Sequence, residues 1–183
     1  MGVAVWAMIE LEADDALASA AAIASRDSRV QKVCIWTPDK DLAQCVRDDH
    51  VVQVDRRSKV IRDAEGVRAK FGVVPGLIPD YLALVGDSAD GYPGIAGIGT
   101  KGAASLLTRY GAIEQFPADV LGDRLQSALL FKKLATLRTD AALFMDVDEL
   151  KWLGPTAGFP AMCEQLGAPN LVERAMRVAP ATP

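Results

Sequence analysis

Histidine is almost missing from this chain: His50 is the only one in 183 residues. That excludes Ser-His-Asp hydrolysis, histidine-ligated metal nucleases and any mechanism that needs two imidazoles. His50 follows Asp48 and Asp49 and precedes an apolar pair, the setting of a turn residue. Cysteine is scarce too. Cys34, Cys45 and Cys163 are too few and too scattered for a disulfide framework, and no C-x-x-C pair offers a zinc site. They read as small thiols in a reducing cytoplasm. Long hydrophobic runs are absent: Glu10 and Glu12 interrupt the first segment, which lacks a basic start, and the alanine-rich stretch 16–24 is too short to span a bilayer. The sequence therefore reads as a soluble, cytoplasmic protein with no membrane partner. Its chemistry must come from carboxylates and the cations they hold.

Carboxylates are present in three short clusters: Glu12, Asp14 and Asp15; Asp39 and Asp41; Asp87 and Asp90. Acids grouped this way repel one another unless a cation sits among them. Magnesium prefers oxygen ligands and keeps several waters. Two such ions about 4 Å apart can steady both oxygens of an in-line phosphoryl displacement. One D-x-D alone is commonly a solvated loop, and acids at a helix start also suit its dipole. Three clusters, each beside a strand end or a helix start, point to metal. The net charge of −4 looks wrong for a nucleic-acid partner. The clustered acids dominate that sum, however, and once metal neutralises them the remainder is mildly basic.

Directly behind the third cluster runs Gly94-Ile95-Ala96-Gly97-Ile98-Gly99-Thr100-Lys101. Any tight turn uses glycine. Here the order G-I-x-G-I-G-x-K leads into a helix with Ala103, Ala104, Leu106 and Leu107, which fits a helix-hairpin-helix. Such a motif grips the phosphates of one DNA strand through backbone amides without reading bases. Gly97 and Gly99 allow close approach, and Lys101 adds a cation.

Periodicity predicts a strand over 3–9 and a helix over 12–25. An apolar strand over 33–37 is of the kind buried on both faces of a parallel sheet. Asp39 and Asp41 follow at its carboxyl end, where ligands of open α/β sheets collect. A short helix over 42–46, a strand over 51–54, a hairpin return over 56–61 and an Asp63-capped helix to about Phe71 come next. Beyond that, helices are expected at 79–85, 101–109 and 123–136, with a strand at 143–147. A proline-punctuated tail of short helices leads to a disordered end. The class is α/β followed by a helical region, divided as residues 1–78 and 79–183.

Glu12-Ala13-Asp14-Asp15, then Thr37-Pro38-Asp39-Lys40-Asp41-Leu42, then Gly86-Asp87-Ser88-Ala89-Asp90 with the run Pro93 to Gly99, resembles the 5′-3′ exonuclease/flap endonuclease family. That is the family of the 5′ nuclease domain of bacterial DNA polymerase I. The match runs in order from about residue 8 to 115 and is loose beyond 120. It implies a PIN-like α/β domain carrying the acids and a helix-three-turn-helix holding duplex DNA. By resemblance, Glu12 and Asp14 serve a first Mg2+ or Mn2+ ion, and Asp39, Asp41 and Asp90 a second. Asp15 and Asp87 act less directly, through waters. Gly94, Gly97, Gly99, Thr100 and Lys101 touch DNA, and backbone carbonyls of Ile95 and Ile98 cradle a monovalent cation such as K+.

The implied activity is two-metal hydrolysis of DNA at a 5′ end or flap, by a monomer, with a DNA polymerase as candidate partner. Two departures stand out. The family's D-N-x-P-G is Asp90-Gly91-Tyr92-Pro93-Gly94 here. The family pattern also places a first strand, two further aspartates and a basic arch before the E-A-D-D helix. The resemblance thus implies the carboxyl-terminal portion of a longer nuclease, with a weakened first metal site and uncovered strand edges. The alternative is a DNA-binding module without catalysis; a PIN-type RNA nuclease ranks below both.

Overall fold

A computed structural model describes residues 1–180. Its first helix, α1 (Ala13–Ala24), starts where Glu12 and Asp15 form a reciprocal capping box, which satisfies amides that a helix start leaves open. The inward face of α1 carries Ala16, Ala18, Ser19, Ala21 and Ala22. These side chains are small, so the helix lies close to the sheet edge and the 41–45 turn that it packs on.

Strand β1 (Val33–Ile35) pairs in parallel with β2 (Val51–Asp55), and β3 (Val60–Arg62) returns antiparallel to β2. The central strand is buried over its first four residues, as its run of valines requires. The expectation that 33–37 is buried on both faces is corrected. β1 stops at Ile35 and lies at the end of the strand order, Cys34 is exposed and Trp36 is 67% exposed.

Two other expected strands do not form. Residues 3–9 pair with nothing among the described residues, and Val3, Val5 and Ile9 are exposed. An apolar pattern without a ladder partner leaves its amides to water. At 143–147 capping chemistry wins instead. Asp146 accepts the Asp148 N–H at 2.9 Å and Glu149 returns to the Asp146 amide, opening a 3-10 turn at Val147–Leu150.

Helix α2 (Ala64–Phe71) is capped by Asp63, which accepts the Gly66 N–H at 2.8 Å. The helical region centres on α3 (Ile78–Val85), which packs against α4 (Thr100–Tyr110) and α6 (Leu125–Ala135). A short α5 (Ala118–Leu121) lies between these last two in sequence. Ile78, Leu82, Leu84, Leu107 and Ile113 are essentially fully buried there, each contributing roughly 1.5–3 kcal/mol. Buried Asp80 is satisfied by the Ile113 amide and the Lys132 ammonium, both at 2.8 Å. A smaller cluster of Ala18, Ala21, Ile35, Leu42 and Val51 joins α1 to the sheet.

The sheet and helices α1 to α6 belong to one compact unit, residues 8–143. A second unit comprises residues 1–7 with the segment from 144 onward, including α7 (Phe159–Gln165) and α8 (Asn170–Val178). Within it Trp6 stacks on Phe144, and the Trp152 indole donates to the Met1 carbonyl at 2.8 Å. The short tail helices are as expected. The far end of the chain, 181–183, expected to be disordered, lies outside the described residues. No helix among the described residues is long and apolar enough to cross a membrane.

Candidate active site

The turn after β1 brings two acids together by local bonds. Thr37 Oγ1 accepts the Asp39 N–H at 3.2 Å, and Asp39 Oδ1 accepts the Asp41 N–H at 3.4 Å. Two glutamines anchor the turn. Gln53, fully buried in β2, donates to the Asp39 carbonyl. Gln44 donates to the Asp41 and Ala135 carbonyls, both at 2.9 Å, and accepts the Leu137 N–H at 3.1 Å. The turn is thereby tied to the sheet and to the end of α6.

The third acid pair sits on the loop after α3. Asp87 and Tyr92 exchange backbone bonds of 2.9 and 3.0 Å, and Asp87 Oδ1 accepts the Ala89 N–H at 3.0 Å. Below this loop Gly86 and Gly94 touch backbone to backbone, both at positive φ, so a Cβ on either would collide with the other's chain. The Ile95 N–H then donates to Leu84 O at 2.8 Å.

These ties make three carboxylates converge. Asp41, Asp87 and Asp90 each offer an oxygen, all within 4.8 Å of one another. Asp41 and Asp87 are buried and Asp90 is exposed. Burial, then the charge of Asp90, then contact with Asp39 push the Asp41 carboxyl up to about 7. Asp90 is likewise raised, by burial and by Asp87. Asp87 moves the other way. Burial opposes its charge, but the Lys40 ammonium 2.6 Å from Oδ2 and the Ala89 N–H together favour the carboxylate. Asp14 is raised by burial and then by Asp39, Glu12, Asp90 and Asp15, so the acids of α1 share one field with the other two clusters. Glu12, Asp14, Asp41, Asp90 and Tyr92 line one cavity. A neighbouring groove is lined by Asp39, Lys40, Asp87 and Lys70.

Asp15 has a structural task of its own. Its Oδ2 accepts the Glu12 N–H at 3.2 Å and its Oδ1 the Arg138 N–H at 2.8 Å. Both oxygens thus serve backbone amides, and the residue fastens the start of α1 to the chain at 138. Gly94, half-buried, is packed on Gly86. Gly97, Gly99, Thr100 and Lys101 do lie exposed at the start of α4. Gly97 has φ 83, whereas Gly99 has ordinary extended backbone and nothing within 4 Å of a built Cβ. The Ile95 carbonyl accepts the Ile98 N–H at 3.0 Å, and Arg124 donates to the Ala96 carbonyl at 3.0 Å. A guanidinium therefore already sits on the hairpin.

Lys40, Gln44, Gln53, Tyr92 and Arg124 were not singled out from the sequence. Gln53 left a signal, a lone amide among the valines of a buried strand. Lys40 stood between the two acids of one motif. Gln44 and Arg124 left none, because their partners are 91 and 28 residues away.

An all-carboxylate donor set in a partly buried cavity fits a hard divalent cation. Comparison with known proteins agrees with the arrangement. Residues 1–72 match the model of the 5′-3′ exonuclease N-terminal resolvase-like domain, and residues 73–157 that of the 5′-3′ exonuclease C-terminal SAM fold. The 5′-3′ exonuclease of Aquifex aeolicus is 38% identical over 147 residues, covering 76% of this chain and 50% of that protein. DNA polymerase I of Pseudomonas aeruginosa is 36% identical over 158 residues, covering 76% of this chain and 17% of that one. The chain thus spans half the length of that exonuclease and a smaller fraction of that polymerase. A bacteriophage T5 flap endonuclease, solved with DNA and metal ions, shares the fold at a TM-score of 0.57 and 18% identity, over 71% of this chain and 48% of that one. A T5 5′-exonuclease with bound zinc gives 0.56 and 18% identity, over 71% and 49%. With its acids at the end of a small mixed sheet and its hairpin in the helical region, matched consecutively over residues 1–157, this chain belongs to the 5′-3′ exonuclease family.

Proposed function

We propose that this chain carries the metal-dependent chemistry of a 5′ nuclease, hydrolysing DNA phosphodiesters at 5′ ends or flaps. The observation that carries the reading is the convergence of Asp41, Asp87 and Asp90, from two separate loops, beside the acids of α1. Bound divalent ions, Mg2+ or Mn2+, would neutralise the phosphodiester and activate water. Asp39, Asp41 and Asp90 would hold one ion, and Glu12 with Asp14 another. Asp87, charged and paired with Lys40, shapes the loop that presents Asp90. Asp15 acts by fixing the start of α1. The acids resist full ionisation without metal, since Asp14, Asp41 and Asp90 are all shifted upward.

Duplex would be gripped by the amides of Gly97 and Gly99, with Thr100 and Lys101 at the α4 start. The start of α4 supports this, because its N-cap Gly99 offers no side-chain cap and has open space around it. A K+ ion shared by the Ile95 and Ile98 carbonyls is part of the reading, as are a boundary near residue 78, action as a cytoplasmic monomer and work alongside a DNA polymerase. The alternative, DNA binding without hydrolysis, is disfavoured by the converged carboxylates. The test is cleavage of a 5′-labelled flap duplex in Mg2+. Release of short labelled products, abolished by EDTA, is expected. No cleavage in either Mg2+ or Mn2+, or cleavage indifferent to EDTA, would overturn the reading.

A further inference from the structure

Tyr92 is 3% exposed, and its hydroxyl has no hydrogen-bond partner in the protein. Its backbone is locked to Asp87 in both directions, and its ring stacks on Phe131 at 5.8 Å and 21°. The side chain is therefore held in place. It lines the cavity that carries Glu12, Asp14, Asp41 and Asp90. A buried hydroxyl without a partner is destabilising, and phenylalanine would fill the same seat without that cost. A carboxylate only accepts hydrogen bonds, and a protonated phenol can donate one.

Among the four acids of that cavity, Glu12 and Asp90 are exposed and Asp14 is half-buried. Asp41 is buried and has no lysine or arginine paired with it among the described ion pairs. A buried carboxylate gains most from a further donor. We propose that Tyr92 is a positioning residue of the metal site, its hydroxyl donating to the Asp41 carboxylate when a divalent ion is bound and so fixing which oxygen faces the ion. This rests on the divalent-metal reading above. Groups that orient ligands in this way commonly change metal affinity by about 10–100-fold when removed.

The experiment compares wild type with Tyr92→Phe by two readouts that need no turnover: Mn2+ binding followed by electron paramagnetic resonance, and metal-free thermal melting. Tyr92→Phe is expected to melt at the same temperature as wild type or higher, while its Mn2+ dissociation constant rises about tenfold. Unchanged Mn2+ affinity in Tyr92→Phe overturns the proposal. So does a clear fall in the metal-free melting temperature, which would make the hydroxyl a structural group. If wild type itself binds no Mn2+, the metal reading fails and the proposal with it. Wild-type binding matched by Tyr92→Phe defeats the proposal alone.

Discussion

Two adjoining loops differ in how far their own fold demands glycine. In 86–94 the reason is internal: Gly86 and Gly94 press backbone on backbone, and the loop they close holds Asp87 and Asp90 beside Asp41. In 95–99 the internal need is weaker: Gly99 is the N-cap of α4, a place that favours glycine but takes serine or asparagine equally well, and its backbone is extended and its surroundings open. The first loop is crowded with charge and bonded to itself. The second presents the uncapped start of α4, and two of its carbonyls, those of Ile95 and Ala96, accept an amide and a guanidinium. The contrast separates a loop that concentrates negative charge from a neighbour that leaves a helix start exposed.

Four measurements can sharpen or break that contrast. The largest effect belongs to the crowded side. Asp39→Asn with Asp41→Asn should slow flap cleavage about 1000-fold, or about 4 kcal/mol of transition-state stabilisation. Duplex affinity, measured by fluorescence anisotropy, should stay within twofold. Equal loss of binding would show that the two loops act as one surface.

The next effect is on folding. Gly94→Val should destabilise by about 3 kcal/mol, since it combines positive φ with a backbone collision. Gly99→Val, at an exposed N-cap, should cost only about 1 kcal/mol and weaken duplex binding of every sequence alike. If Gly99→Val unfolds the protein and Gly94→Val does not, the ranking of the two internal needs is reversed.

A smaller effect concerns pH without metal. The Asp41 carboxyl, raised to about 7, binds its proton more tightly in the folded state than in the unfolded one. Folding is then linked to proton uptake, so stability contributed by the protonated form is present below the unfolded value and fades as pH rises toward 7. The metal-free protein should therefore melt higher at pH 5.5 than at pH 8, by about 1 kcal/mol or more. Asp41→Asn should flatten that difference, as should saturating Mg2+. A melting temperature that rises from pH 5.5 to 8 would contradict the crowding of these acids. The smallest effect is Lys101→Ala, which should reduce the salt dependence of duplex binding by about one phosphate contact.

Much of this was legible because it is local. Asp63 and Gly72 bracket α2, proline opens α3 after Leu77, and Gly111 ends α4, each by chemistry within one turn. The three acid motifs were legible for the same reason, and the fold class followed from the strand–helix alternation. What failed depended on distant partners. Residues 3–9 and 33–37 carry strand-like patterns, yet whether a strand forms and which face it buries depends on neighbours the pattern cannot name. Asp15 looked like a ligand because it stands beside Asp14, and only the amide of Arg138, across the fold, reveals its other task. Lys40 and Tyr92 were in plain view inside two motifs. Their significance comes from lying against Asp87 and the acid-lined cavity, which spacing alone does not disclose.

The most direct test of the central claim, that the converged carboxylates form a divalent-metal centre, is a Mn2+ titration read by electron paramagnetic resonance on wild type and on Asp41→Asn with Asp90→Asn. The account predicts saturable binding by wild type, competed by Mg2+ and weakened at least a hundredfold in the double variant. Identical titrations for both proteins, or a wild-type signal no different from free aqueous Mn2+, would contradict it.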